Sequence, residues 1–506
     1  MKNNETNLIR YCGDQLSHFA KSVYGNKVVF MFVVLCIFGL CTTGKPLEYT
    51  VTEVFTRFGR NTFIVLSLII PVIAGLGLNF GIVVGAMAAQ IAIFCTVYWG
   101  FTGIGGLLLT VAIATPISLL LGFLVGRLYN KTKGTEMITG LILGYFADGL
   151  YQFLFLFLIG VVFPVENPRL IIDGGVGVKN TIDLAGNLKY TIDTISMLSI
   201  VELACLIVAL VLVVRLVVHF VKKDDSSVPK AVGGIIGVAA VYAITYIPAI
   251  ERFLSTDRLR LLDAITIYVF GAIILQLFRI IYEKLIKKNG EFVVTRPLAV
   301  IIAAVIIYAL TFIPAIEKVI LSVNIPVMTY VLIALLCVFN TTLLNTKLGQ
   351  NMRTVGQSRT VANAAGINVN KTRIIAMMLS TMLAAWGQII YLQNIGTFST
   401  YGAHSMCGQY AIAALLVGGA SVKDAKNSHA ILGVILFHTL FVVSPLSASH
   451  LFGNSMIGEY FRVFVCYGVI AVALAMHAWK TLPRKKDGGE VLSDNTPEIP
   501  VSGAEN

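Results

Sequence analysis

The sequence predicts an all-α fold, a polytopic transmembrane helical bundle of about fourteen spans, and three observations carry that class. Of 506 residues, 57% are hydrophobic and 13% charged, and the mean hydropathy of +0.83 is far too high for a soluble globular chain. The apolar residues fall into segments of about 20, the length that crosses a bilayer as a helix. The Lys and Arg residues, which give a formal charge of +12, stand singly or in pairs between these segments. That is the pattern membrane topology imposes, and no basic face with interleaved aromatics suggests nucleic acid. Lipid is therefore the expected surrounding.

In chain order the apolar segments cover residues 28–44, 62–79, 81–99, 104–128, 135–163, 196–221, 231–250, 262–286, 297–316, 326–345, 372–393, 407–420, 429–448 and 459–480. The stretch Val28 to Cys41 has no small-residue cleavage site followed by a soluble domain, so it reads as the first span and residues 1–27 as a cytoplasmic segment. The segment 407–420 is short and either spans or re-enters. An even number of spans puts both termini inside, and Arg127, Lys131 and Lys133, the pairs Lys222-Lys223 and Lys287-Lys288, and Arg484-Lys485-Lys486 then all fall on the cytoplasmic side, as the charge bias demands. The polar stretch 481–506 reads as a disordered cytoplasmic tail. Cys36, Cys41, Cys95, Cys205, Cys337 and Cys466 lie in apolar segments without a CxxC pair and read as small buried hydrophobes.

These segments group into a first membrane half at 28–221, a repeated part at 222–325 and a second half at 326–480. The first half contains a long external loop at 164–195, rich in the Gly, Asn and Asp of turns. The repeated part rests on Tyr242-Ala-Ile-Thr-Tyr-Ile-Pro-Ala-Ile-Glu-Arg252, which recurs 66 residues later as Tyr308-Ala-Leu-Thr-Phe-Ile-Pro-Ala-Ile-Glu-Lys318, identical at eight of eleven positions. The Lys pairs at 222 and 287 recur at nearly the same spacing, so each unit reads as an inserted helical hairpin with a basic inner loop. Taken alone, the repeat fits a membrane scaffold.

The second half is interrupted by residues 345–373, NTKLGQNMRTVGQSRTVANAAGINVNKTR, which contain five basic residues and no Asp or Glu. Such a loop faces the cytoplasm. Ser358 is placed to cap a short helix from Thr360 to Ala365, Gly366 stands where a left-handed residue ends a helix, and a second helix follows Asn370. A basic connection that only obeys the charge bias is the plain reading. The order of residues adds more: Leu348-Gly349, Arg353, Val355-Gly356, Ala362 and Ala365-Gly366-Ile367-Asn368-Val369 resemble the coupling loop of the ABC-transporter permeases that import branched-chain amino acids, ribose and other simple sugars, and nucleosides. The resemblance covers residues 60–165 and 326–450. It departs from the usual Asn, acid and Ala-Ala at Ser358, Thr360 and Val361-Ala362. It implies a ten-span permease core extended by the repeated hairpins, and a coupling helix, carried by Arg353, Gly356, Ser358, Ala362, Ala365, Gly366 and Ile367, that docks into a separate ABC ATPase subunit. It further implies a second permease subunit, identical or different, an extracytoplasmic substrate-binding lipoprotein received on the 164–195 side, and a place in the bacterial cytoplasmic membrane.

Asn79-x-Gly81 with Gly85-Ala86 and Gln90, and Gly134 to Tyr145 with Glu136, resemble the nucleoside and simple-sugar branch; Met382 to Gly387 and Ala411 to Gly419 continue the family pattern. Three glycines and Asn79 interrupt apolar sequence between residues 75 and 81, which fits either a helix break lining a cavity or close packing through small residues. Glu136 opens a helix, where the dipole favours a carboxylate. Asp148 lies about 20 Å along the same segment at 1.5 Å per residue, a depth where an acid is either ion-paired or in the pathway. Asn79, Gln90, Asp148 and Gln388 are the candidate pathway residues. No GxxxxGK(S/T) loop, HExxH, GxSxG or metal-spaced His/Cys cluster occurs, so no catalytic residue, metal or cofactor is assigned and ATP hydrolysis is left to a partner. The expected function is permeation of a small polar solute, nucleoside or simple sugar, with an ion-coupled secondary transporter using Asp148 as the alternative.

Overall fold

The computed structural model describes residues 27–163, 165, 167–172, 177–222, 228–283 and 295–481, so the tail at 482–506 and most of the segment at 1–27 lie outside it. It is a helical bundle. The helices are α1 (Lys27–Thr42), α2 (Leu47–Ser67), α3 (Ile69–Ile73), α4 (Val83–Tyr98), α5 (Gly103–Lys131), α6 (Glu136–Phe153, continued by a π-helical stretch Leu154–Val162), α7 (Met197–Lys222), α8 (Val228–Thr245), α9 (Pro248–Leu254), α10 (Leu261–Ile281), α11 (Thr295–Leu310), α12 (Pro314–Ser322), α13 (Val327–Asn345), α14 (Lys347–Gln357), α15 (Arg359–Ala364), α16 (Val369–Ile395), α17 (Ser405–Val417), α18 (Asn427–Phe452) and α19 (Ser455–Thr481). Four three-residue strands pair antiparallel: β1 (Thr181–Asp183) with β4 (Thr397–Ser399), and β2 (Arg258–Arg260) with β3 (Asn324–Pro326).

Helix α16 is the centre of the core, packed on α5, α2 and α4. Small residues let these helices approach: a Cβ on Gly122 of α5 would stand 2.8 Å from the Cα of Met378, and one on Gly85 of α4 2.5 Å from the Thr381 carbonyl oxygen. Where apolar burial cannot drive association, as between helices in lipid, such close approach is what holds them together. The outer helices show the opposite pattern. Leu206, Leu210 and Val214 of α7 are each more than half exposed, as side chains facing hydrocarbon are.

Each of the fourteen apolar segments contains helix among the described residues. Among the described residues ten helical segments are long and apolar enough to cross a membrane, and the bent pair Pro297–Leu310 and Pro314–Ser322, kinked by 88°, makes an eleventh if counted as one. Val28–Thr42, Gly233–Thr245 and Cys407–Val417 are shorter. The span expected at 62–79 is displaced: it runs over Leu47–Ile73 and stops before the glycines. Glu53, Arg57 and Arg60 made its first turns read as a loop. They are instead satisfied, Arg57 by Glu53 on the same helix at 2.9 Å and Arg60 by Asn394 of α16 at 2.9 Å. The short α17 joins opposite sides of the bundle, since β4 before it pairs with β1 of the 164–195 loop while Val422 and Lys423 after it lie beside Gly77 and Arg359.

The repeat is structural as well as textual. Pro248 and Pro314 each begin a short helix after a kink, β2 and β3 begin at 258 and 324, and α10 and α13 at 261 and 327, each pair 66 apart. The unit therefore runs past residue 325 into the first helix of the second half. Because Leu259 pairs with its own repeat equivalent, Ile325, while Arg258 pairs with Pro326 and Arg260 with Asn324, the two copies meet about a local two-fold axis.

Candidate functional site: a capped hook and a buried polar cluster

The polar loop folds as a hook built from capped short helices. Thr346 Oγ1 accepts from Gly349 N (3.3 Å) at the start of α14, and Ser358 Oγ accepts from Val361 N (3.3 Å) at the start of α15. Gly366 ends α15 with φ +74°, where an L side chain is strained, while its N–H donates to Asn363 O and that of Ile367 to Ala362 O. The expected second helix begins earlier than Asn370: Asn368 accepts from Lys371 N (2.9 Å) and α16 starts at Val369. Ala362, Val355 and Val369, with Ile367, form a small core that seats α15. Val361, Asn363, Ala364 and Ala365 point away and are exposed. Arg353 is exposed beside a 570 Å³ cavity bounded by Asn345, Asp424 and Asn427, and among the described residues it forms no hydrogen bond or ion pair.

The glycine-rich break lies against this hook. The backbones of Gly75 and Gly356 touch, so a Cβ on Gly356 would stand 2.1 Å from Ile73 O. Beyond the break, Asn79 is fully buried and its Oδ1 accepts from the Tyr129 hydroxyl (3.2 Å). Glu136 does more than open α6. Its Oε1 accepts from Arg359 of α15 (2.6 Å) and from Arg373 of α16, and its Oε2 accepts from Gly134 N (2.8 Å). Arg373 has no exposed surface and also donates to Tyr129 O (3.4 Å). Asn79 thus belongs to this inner network and not with the other candidate pathway residues.

Those three converge on a residue that sequence reasoning passed over. His404 Nε2 lies 2.6 Å from Asp148 Oδ1, its Nδ1 lies 2.9 Å from Gln90 Oε1, and Gln388 donates to the adjacent carbonyl of Ala403 (3.2 Å). The Tyr151 ring lies against the imidazole with centroids 4.6 Å apart and planes tilted by 58°, and Gln152 donates to Asp148 Oδ2 (3.1 Å). Two proton arrangements fit these positions: an imidazolium donating from both nitrogens, or a neutral ring donating to Asp148 with the Gln90 amide turned over to donate to Nδ1. The two differ by one proton and a rotation of the Gln90 amide. Asp148 also borders a small cavity of about 70 Å³ with Tyr145, Ser405, Gly408 and Gln409, beside the start of α17. The only signal for His404 in the sequence is a lone His in the polar run that precedes a short apolar helix.

On the opposite side the 164–195 loop is partly pinned to the bundle. Asn187 accepts from Gly103 N through its carbonyl (2.9 Å), and the buried Asp193 accepts from Thr329 (2.6 Å), Gln393 (3.2 Å) and Asn394 (2.5 Å). Asp183, Lys189 and Tyr190 remain exposed there.

Comparison with known proteins places this geometry. The family described as the permease component of branched-chain amino acid transport systems matches residues 199–474, more than half the chain and including the repeated part. The probable ABC transporter permease protein YphD of Escherichia coli is 30% identical over 155 residues, 30% of this chain and 43% of that one. The nucleoside ABC transporter permease protein NupC of Lactococcus lactis is 30% identical over 183 residues, 35% of this chain and 54% of its own. The galactose/methyl galactoside import permease protein MglC of Haemophilus influenzae is 26% identical over 140 residues, 28% and 40% of the two chains. The chain spans about half the length of the curated relatives it matches. No solved structure matches it. With a capped, outward-facing hook between two apolar helices and this family match, the chain belongs to the family of permease components of branched-chain amino acid transport systems.

Proposed function

We propose that the protein is the membrane permease subunit of an ABC importer, moving a small polar solute, a nucleoside or simple sugar, inward across the bacterial cytoplasmic membrane. The hook carries this reading. A six-residue helix, capped at one end by Ser358 and closed at the other by Gly366, presents exposed Val361, Asn363, Ala364 and Ala365 away from the bundle. An element of that form suits docking into a groove of a separate ATPase. The nucleoside and sugar relatives support the solute class. A second permease subunit is the natural cover for α6, whose exposed face carries Tyr145, Phe146 and the carboxylate of Asp148 at a depth where an acid does not face lipid. An extracytoplasmic binding lipoprotein would meet the 164–195 side.

The test is co-purification with the importer's ATPase, and uptake of radiolabelled adenosine, ribose and galactose by reconstituted vesicles containing ATP. Gly366→Val, strained by about 1 to 3 kcal/mol, and Arg353→Ala leave membrane insertion intact but release the ATPase or abolish solute-stimulated hydrolysis. If both variants keep the partner and full stimulation, the hook is only a topological anchor. The Asp148–His404 pair supports a second reading, proton-coupled transport. In that case uptake follows an imposed pH gradient and persists without ATP.

A further inference from the structure

Glu136 stands where three elements meet. It opens α6, and its carboxylate, almost wholly buried, receives Arg359 from α15 at 2.6 Å and Arg373 from the first turns of α16. The two arms differ in kind. Arg373 is fully buried and belongs to a fixed network that continues through Tyr129 to Asn79. Arg359 is about a third exposed and sits on α15, whose Val361, Asn363 and Ala364 point away from the bundle. An ion pair of that exposure is weak enough to break and re-form.

The route this opens is specific. The hook reaches α16 through the chain itself and touches the break through Gly75 and Gly356, whereas among the described residues Arg359–Glu136 is the charged link from α15 to α6. Helix α6 then runs uninterrupted from Glu136 to Asp148, about 18 Å at 1.5 Å per residue, and ends at the His404 contact. A helix of that length moves as a rod. We infer that Glu136 is a positioning residue that carries displacement of α15 to α6 and so to the Asp148–His404 cluster. This rests on the permease reading above, and the Arg359 arm is the part that changes during a transport cycle.

The experiment uses the full permease with its ATPase in vesicles, and the readout is ATP hydrolysed per solute imported. Arg359→Gln leaves Glu136 paired with Arg373 and the Ser358 cap in place, so the variant inserts and retains the ATPase. The inference expects ATP consumed per solute imported to rise about ten-fold, the scale of a typical coupling between sites. Arg359→Lys, which keeps a cation at Glu136, restores most of the coupling. Glu136→Gln shows the same loss, together with a lower melting temperature because Arg373 is left buried without its anion. If Arg359→Gln couples as well as the wild type, or if it loses the ATPase outright, Glu136 transmits nothing and the inference is overturned. If the wild type itself binds no ATPase, the failure lies in the permease reading instead.

Discussion

The carboxylate of Asp148 is tolerated twelve residues into an apolar helix because His404 and Gln152 take up its lone pairs, and a further turn of chemistry follows from the choice of partner. An arginine would have fixed the charge; an imidazole linked onward to Gln90 is a partner that can exist with or without its second proton. Asp148→Asn keeps the shape and removes the acid. We expect normal insertion with uptake reduced about ten-fold, equivalent to about 1.4 kcal/mol, and a flatter dependence on pH. Transport at an unaltered rate and pH profile would remove both the pathway role and the proton-coupled reading. At this scale the sequence announces costs and hides partners. Asp148 is legible because an acid in hydrocarbon is expensive wherever it pairs, but His404 lies 256 residues away and nothing local marks it. The same holds for Glu136: as a helix-opening carboxylate it reads as a cap, and its two arginines, in a loop that seemed merely basic, become its partners only once α15 and α16 fold back upon α6.

Among elements, the hook was the most legible and the adjoining break the least. Ser358, Gly366 and the apolar positions between them specify a short capped helix through local hydrogen bonding alone, so α15 appears within a residue of its expected ends. The break at Gly75 takes its meaning from Gly356, on the other side of the chain, whose backbone it meets. Gly356→Ala tests that contact, because a Cβ there would lie 2.1 Å from Ile73 O. Backbone must move, at a cost of about 1 to 3 kcal/mol, so we expect a lowered melting temperature and faster proteolysis within 345–373. Unchanged stability would mean that hook and break are not in contact. The repeat shows the limit of text comparison in another way. Close identity is confined to eleven residues, yet the recurrent strand and long helix extend the unit beyond them, because apolar helices keep their period while their letters drift.

At the scale of the whole molecule, the described elements sort onto two faces. One holds the β1–β4 and β2–β3 pairs, the Glu48–Lys318 ion pair and the pinned part of the 164–195 loop; the other holds the hook, Lys423 and the Glu136 network. The charge bias expects such a separation, with the more basic side in the cytoplasm. What composition left open is the number of crossings, because α1, the described part of α8, and α17 are short apolar helices and the bent α11–α12 pair counts as a span only when its halves are taken together. The alternation of faces is testable as a unit. Single cysteines are placed at Lys222, Arg353 and Asp183, with Lys287, outside the described residues, as a fourth site; Cys41, itself exposed, is first replaced by Ser. An impermeant thiol reagent added to intact cells should modify Asp183→Cys and none of the other three until the membrane is opened. Labelling at 222 or 287 with 353 protected would change the number of crossings between that site and the hook by an odd number, while leaving the hook and its coupling role intact. Labelling at 353 would invert the face that carries the hook, and no cytoplasmic ATPase could then reach it.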